Sequence, residues 1–273
     1  GQSEKRSANQ ITNSWLVFIH SSILYILKNH YTYFLILLVS LIGPLILSFD
    51  KKVAFYKKWS SLFIAMIFPA LGYIIWDIYF TAEGIWSFNA DYITGYHLIN
   101  LPIEEVMFFF AVPFCCVFIY ECIKQYFPKM EDQAIYTKLA WVLAIILIVF
   151  AILNFSRRYS FYTFSLNAVF LIALLLIKRK NSFVHIRRIF VSYAIILIPF
   201  LVVNGFLTAI PVVLYNDVEN LGIRIYTIPV EDIFYSMLLI FANILCYEMI
   251  LHRKSQSWLF HVRRNWLKRS EEH

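Results

Sequence analysis

The sequence predicts an all-α integral membrane protein: about seven transmembrane helices, arranged as two parallel three-helix repeats joined by an extra helix. Three observations lead there. The 273 residues are 60% hydrophobic, 19% aromatic and only 15% charged, a composition far from that of soluble domains. Apolar runs near the roughly 20 residues needed to cross a bilayer recur along the chain. The third observation is self-similarity at a fixed offset of 127 residues.

Seven spans are expected, at 34–49, 59–80, 101–123, 139–155, 161–177, 189–214 and 229–251. When the connections are assigned to alternate sides, 18 of the 24 Lys and Arg fall on one side, in 50–58, 124–138, 178–188 and the tail from 252. The positive-inside rule then makes the C-terminus cytoplasmic and the N-terminus external. Residues 1–30 read as an N-terminal extension, an interfacial helix. The tail 252–273 mixes basic residues with Trp258, Phe260 and Trp266, a composition suited to an anionic leaflet.

The repeat sets Leu101-Pro102-Ile103-Glu104-Glu105-Val106 against Ile228-Pro229-Val230-Glu231-Asp232-Ile233. The same offset pairs Asp77 with Asn204, Asn89 with Asn216, Gly95 with Gly222, and Tyr120-Glu121 with Tyr247-Glu248. The chain therefore divides into a first repeat at 31–127, a linker with an extra helix at 128–157, and a second repeat at 158–251. Three spans reverse the chain's direction. One added crossing restores it, so the two repeats lie parallel about an axis along the membrane normal.

Pro102 and Pro229 suit helix starts, where a missing N–H costs nothing. Glu104, Glu105, Glu231 and Asp232 then sit in first turns, where the helix dipole favours them by about 0.3–1 kcal/mol. That reading needs no chemistry. Ionisable groups at membrane depth are nevertheless functional candidates. Neighbouring acids point about 100° apart, so one of each pair turns into the bundle. Asp77 and Asn204 lie at a similar depth, and four acids gathered there can hold a proton in apolar surroundings. Trp76, Trp86, Phe108, Phe109, Phe110, Phe234 and Tyr235 could offer ring faces to a cation, although core packing explains each one singly. Glu121 and Glu248 follow Glu104 and Glu231 by 17 residues, roughly 25 Å along a helix, and read as interfacial ends near Lys124 and Arg253.

Other chemistries lack their motifs. The seven glycines include no GxGxxG or GxxxxGK[ST] pattern for a nucleotide. Cys115, Cys116, Cys122 and Cys246 form no CxxC and read as packing. No histidine spacing suggests a metal, and no DDxxD suggests magnesium diphosphate. The net charge of +7 comes in short clusters between spans, which reflects topology and not nucleic-acid binding. No cofactor and no metal are expected.

In Leu101-Pro102-Ile103-Glu104-Glu105-Val106-Met107-Phe108-Phe109 and Thr227-Ile228-Pro229-Val230-Glu231-Asp232-Ile233-Phe234-Tyr235, the chain resembles the non-flavin carotenoid lycopene cyclases, whose mark is Pro-x-Glu-Glu/Asp. The likeness covers about 31–251 in two fused copies. It implies redox-neutral closure of the ends of lycopene to β-carotene through a one-ring intermediate, with Glu104, Glu105, Glu231 and Asp232 as acid and base. Glu104 and Glu231 are preferred as proton donors because they are identical between copies. The internal repeat adds Asp77, Asn204, Asn89 and Asn216, with Trp76, Phe108, Phe109 and Tyr235, as substrate-binding residues. The resemblance further implies a multi-pass protein of a bacterial inner membrane, a carotenoid drawn from the bilayer, and contact with lipids and other carotenoid-pathway enzymes. A longer carotenoid substrate, a transporter using the same carboxylates, and a non-catalytic carotenoid-binding subunit remain alternatives.

Overall fold

The computed structural model describes residues 29–181 and 183–271, with side chains through residue 257. The interfacial helix expected in 1–30 and the side chains of the far tail fall outside the described residues. Among those described, seven helices carry the fold: α1 (Thr32–Leu47), α2 (Trp59–Ala82), α3 (Ile103–Tyr126), α4 (Ala134–Leu153), α5 (Arg158–Lys180), α6 (Ile186–Ala209) and α7 (Glu231–Glu271). Six are long and apolar enough to cross a bilayer; α1, with 16 residues, is shorter.

The repeat offset is visible in the helices themselves. α6 begins and ends 127 residues after α2, and α5 begins 126 after α1. α4 has no counterpart and packs mainly on α5, as the extra helix that returns the second repeat to the orientation of the first. Its outer face, including Ile145, Ile152 and Leu153, is exposed, as lipid contact requires.

Several expected boundaries change. The sixth span was expected to reach 214 but ends at Ala209, and the third and seventh begin two residues later than expected. The residues released contribute to β3 (Leu101–Pro102), β4 (Val213–Tyr215) and β6 (Ile228–Pro229), which pair with the loop strands β2 (His97–Leu98), β1 (Trp86–Phe88) and β5 (Arg224–Ile225). Apolar content alone does not separate a helix end from a strand buried at the bundle's mouth.

These strands report the pseudo-two-fold axis. β1 and β4 run antiparallel with Trp86 opposite Tyr215, Ser87 opposite Leu214 and Phe88 opposite Val213. Repeat-equivalent residues are thus exchanged about the Ser87–Leu214 pair. The hairpins β2–β3 and β5–β6 are copies of one another. Each follows a glycine of positive φ, Gly95 (84°) or Gly222 (71°), and each turns on a side chain of positive φ, Ile99 (62°) or Tyr226 (57°). A conformation unfavourable to L-residues, conserved between halves, belongs to the repeat and not to chance.

At the opposite end of the bundle a second reciprocal pair ties the halves together. The Tyr120 hydroxyl donates to Glu248 at 2.9 Å and the Tyr247 hydroxyl to Glu121 at 3.0 Å. Lys58 adds a 2.5 Å bond to Glu121, and Lys124 one to Glu248. Within a bilayer helices gain little from hydrophobic exclusion, so such interhelical hydrogen bonds and close packing hold them together. Glu121 and Glu248 were expected at an interface beside Lys124 and Arg253; both are buried and join the two repeats.

Candidate active site

The acid-bearing helix starts are set by their loops. Pro102 caps α3 in extended conformation (φ −55°, ψ 143°). Thr94 N–H donates to the Glu104 carboxylate at 2.7 Å, and Leu221 N–H donates to Glu231 at the same distance. Ser160 Oγ adds a 2.6 Å bond to Glu231. Glu104 and Glu231, both fully buried, therefore staple the loop before each helix to its first turn. The second oxygen of each has no hydrogen-bond partner among the described residues.

The next residue in each copy turns about 100° away and reaches a different place. Glu105 and Asp232 line a common hollow together with Asp77, Asn204, Tyr33, Tyr159, Tyr215, Tyr235, Trp86, Phe88, Phe108 and Phe200. The Tyr33 hydroxyl donates to Glu105 at 2.5 Å. Asp77 and Glu105 face the same hollow, and two carboxyl groups buried together favour sharing a proton over carrying two charges. Asp77 also accepts from the Tyr235 hydroxyl at 2.6 Å, a bond that crosses from the first repeat to the second. Asp232 is surrounded by donors: Asn204 Nδ2 at 2.6 Å, the Tyr215 hydroxyl at 2.8 Å and the Tyr159 hydroxyl. Buried polar groups are tolerable when satisfied in this way.

Aromatic rings enclose these groups. Trp86 stands edge-on to Tyr159 at 5.3 Å and to Tyr235 at 6.0 Å, while Tyr159 stacks on Tyr215 at 5.9 Å. Their π faces are suited to a positive charge in a water-poor space. The hollow measures about 40 Å³, room for only a few waters. A methylated six-membered ring enters it only if the lining side chains move.

The loop bearing β4 also aims Tyr159. Glu219 caps the start of α5, accepting from Arg158 N–H at 3.1 Å while its carbonyl accepts from Tyr159 N–H at 2.9 Å. Arg158 pairs through its guanidinium with Glu219 at 2.8 Å and with Glu83 at 2.5 Å. The hydrogen bonds from Arg158 hold the Glu219 carboxyl below the usual range, although burial opposes them.

Of the residues singled out in the sequence, Asp77, Trp86, Glu105, Phe108, Asn204, Asp232 and Tyr235 meet at the hollow. Glu104 and Glu231, the preferred donors, lie outside its lining and hold the loops. Trp76 packs on Tyr235 at 5.2 Å, and Phe109 lies beneath Tyr73 at 5.5 Å, so both support the lining without forming it. Asn89 and Asn216 make turns: Asn89 Oδ1 accepts from Asp91 N–H, and Asn216 accepts from Val218 N–H and donates to the Gly84 carbonyl.

Sequence reasoning missed Tyr33, Tyr159, Tyr215, Phe88 and Phe200. Phe88 and Tyr215 are repeat-equivalent aromatics beside Asn89 and Asn216, a signal that was available. Tyr33 and Tyr159 are displaced by one position between Thr32-Tyr33 and Tyr159-Ser160, and a gapless comparison hides them.

The model of the Lycopene cyclase family matches residues 30–123 and again residues 156–250. No curated protein and no solved structure matches the chain.

Proposed function

The chain belongs to the lycopene cyclase family and is an enzyme that cyclises carotenoids, and on that premise we propose that it closes the open ends of lycopene to β-rings, giving β-carotene through a one-ring intermediate. The observation that carries this reading is the meeting of two buried carboxyl groups from the first repeat, Asp77 and Glu105, with the donor-surrounded Asp232 of the second repeat around one aromatic hollow.

The Asp77–Glu105 pair delivers its proton to the terminal alkene. The neighbouring alkene attacks the tertiary cation and forms the ring bond, while the rings of Trp86, Tyr159, Tyr215 and Tyr235 face the charge. Asp232, which accepts three hydrogen bonds, takes the proton that leaves the carbon beside the new cation and restores a double bond. One proton enters and one leaves, so no oxidant or nucleotide is needed. Which hydrogen faces Asp232 decides the ring type. Glu104 and Glu231 act as positioning residues, a revision of the preference drawn from their identity. The asymmetry of basic residues supports an orientation with this hollow toward the outer side and the C-terminus in the cytoplasm.

Expression in lycopene-accumulating cells should convert the red pigment to a ring-bearing product of unchanged mass. In D₂O each ring formed should carry one deuterium. Unchanged lycopene beside well-folded protein would refute the substrate, and a product without deuterium would refute the proton delivery.

A further inference from the structure

A second cavity, about 350 Å³, lies between α1, α3 and α6, lined by Ser40, Pro44, Val112, Cys115, Cys116, Ile119, Ile196, Pro199, Phe200, Val202 and Val203. Its few polar atoms are engaged: Ser40 Oγ donates to the Ile36 carbonyl at 2.7 Å, and Cys115 Sγ to the Ser40 carbonyl at 3.5 Å. That carbonyl lies one turn before Pro44, which has no N–H to offer it. The groove thus presents a surface suited to hydrocarbon and little that a polar ligand could use.

Phe200 lines both this groove and the acidic hollow. Ile196, Phe200 and Asn204 follow at one-turn intervals, about 6 Å each, along one face of α6. Ile196 is in the groove, Asn204 holds Asp232, and Phe200 stands between them. On α3 the groove runs from Val112 to Ile119, roughly 10 Å, and starts about 10 Å beyond Glu105. An extended chain lying in it would point its end at the carboxyl pair.

The internal repeat makes the groove one-sided. Val203, Phe200, Ser40 and Cys116 correspond to Trp76, Tyr73, Asn167 and Asn243, and there the space is used. Trp76 packs on Tyr235 at 5.2 Å, the Tyr73 hydroxyl donates to the Tyr235 carbonyl at 2.8 Å, and Asn167 donates to the Phe234 carbonyl at 2.9 Å. We propose that the α1–α3–α6 groove binds the polyene chain of the carotenoid and that Phe200 is the gate through which its end passes into the acidic hollow. The proposal rests on the cyclisation reading above. It has a consequence for order: with access from this one side, the second end reaches the hollow only after the molecule withdraws and turns round.

The test uses the full chain reconstituted in lipid nanodiscs, with two readouts, lycopene retained per protein and lycopene converted. Val203→Trp copies the filled counterpart, and Cys115→Phe fills the groove from α3; Val39→Trp, on the exposed face of α1, is the control. Each groove variant should retain and convert roughly ten-fold less lycopene, with the control unchanged. Wild-type retention and conversion in either folded groove variant overturns the groove as the polyene site while the proposed reaction stands; that is the result if an ordinary acyl chain occupies it. A wild-type chain that neither retains nor converts lycopene removes the proposed reaction, and this site with it. Phe200→Trp should retain lycopene normally yet convert it roughly ten-fold more slowly. Loss of both properties, or of neither, overturns the gate.

Discussion

Asp232→Asn is the most informative single change. The carboxylate accepts hydrogen bonds from Tyr159, Asn204 and Tyr215, whereas an asparagine offers one oxygen and turns an NH₂ toward at least one of these donors. Leaving a buried donor unpaired costs about 1–3 kcal/mol of stability, which a lowered thermal midpoint in detergent would register. The catalytic loss is separate and larger: removal of a positioned base slows a proton transfer by about 10²–10⁴-fold, or roughly 3–5 kcal/mol on the barrier. Initial rates of ring formation, normalised to folded protein, distinguish the two effects. Glu231→Gln is the matched comparison, because a glutamine oxygen still accepts from Leu221 N–H and Ser160, so its rate should stay within about three-fold of wild type. A folded Asp232→Asn enzyme at near-wild-type rate, or Glu231→Gln as the inactive member of the two, refutes the assignment of base and positioning residue.

Asp77→Asn should fold, because the repeat-equivalent Asn204 already occupies that place against Asp232; with the shared proton gone, ring formation should fall by about 10²–10⁴-fold as measured by chromatography. Glu219 is held below its ordinary range of about 4.5 chiefly by Arg158. Its contribution is complete above that value and disappears as pH falls through the lower folded one, so hydrogen exchange across 213–225 should rise on acidification and also, at neutral pH, on raising salt. At the other end of the bundle, Tyr120→Phe and Tyr247→Phe remove equivalent bonds to Glu248 and Glu121. Each should lower stability by a similar amount, about 1 kcal/mol, without changing the product ratio. A time course should show the one-ring carotenoid rising before the two-ring product, and its absence would contradict access from one side.

Composition and span length were enough to read a helical membrane bundle, because a bilayer leaves the backbone few ways to satisfy its hydrogen bonds. The gapless offset of 127 was enough to read the duplication, the extra α4 and the parallel repeats. It also brought Asp77, Asn204, Glu105 and Asp232 into consideration, since duplicated polar groups at membrane depth are costly to keep without use. Other features were decided by tertiary structure. Identity between copies favoured Glu104 and Glu231, yet a group copied faithfully can be a loop staple; the 100° turn between adjacent helical residues settles which acid faces the hollow, and the loop's N–H groups settle which is stapled. The β1–β4 ladder at the bundle's mouth depends on pairing between the two repeats, centred on Ser87 and Leu214, and local propensity does not record that pairing. The open groove on one side and its filled counterpart arise from volume differences such as Val203 against Trp76, whose effect exists only once three helices converge on the same space.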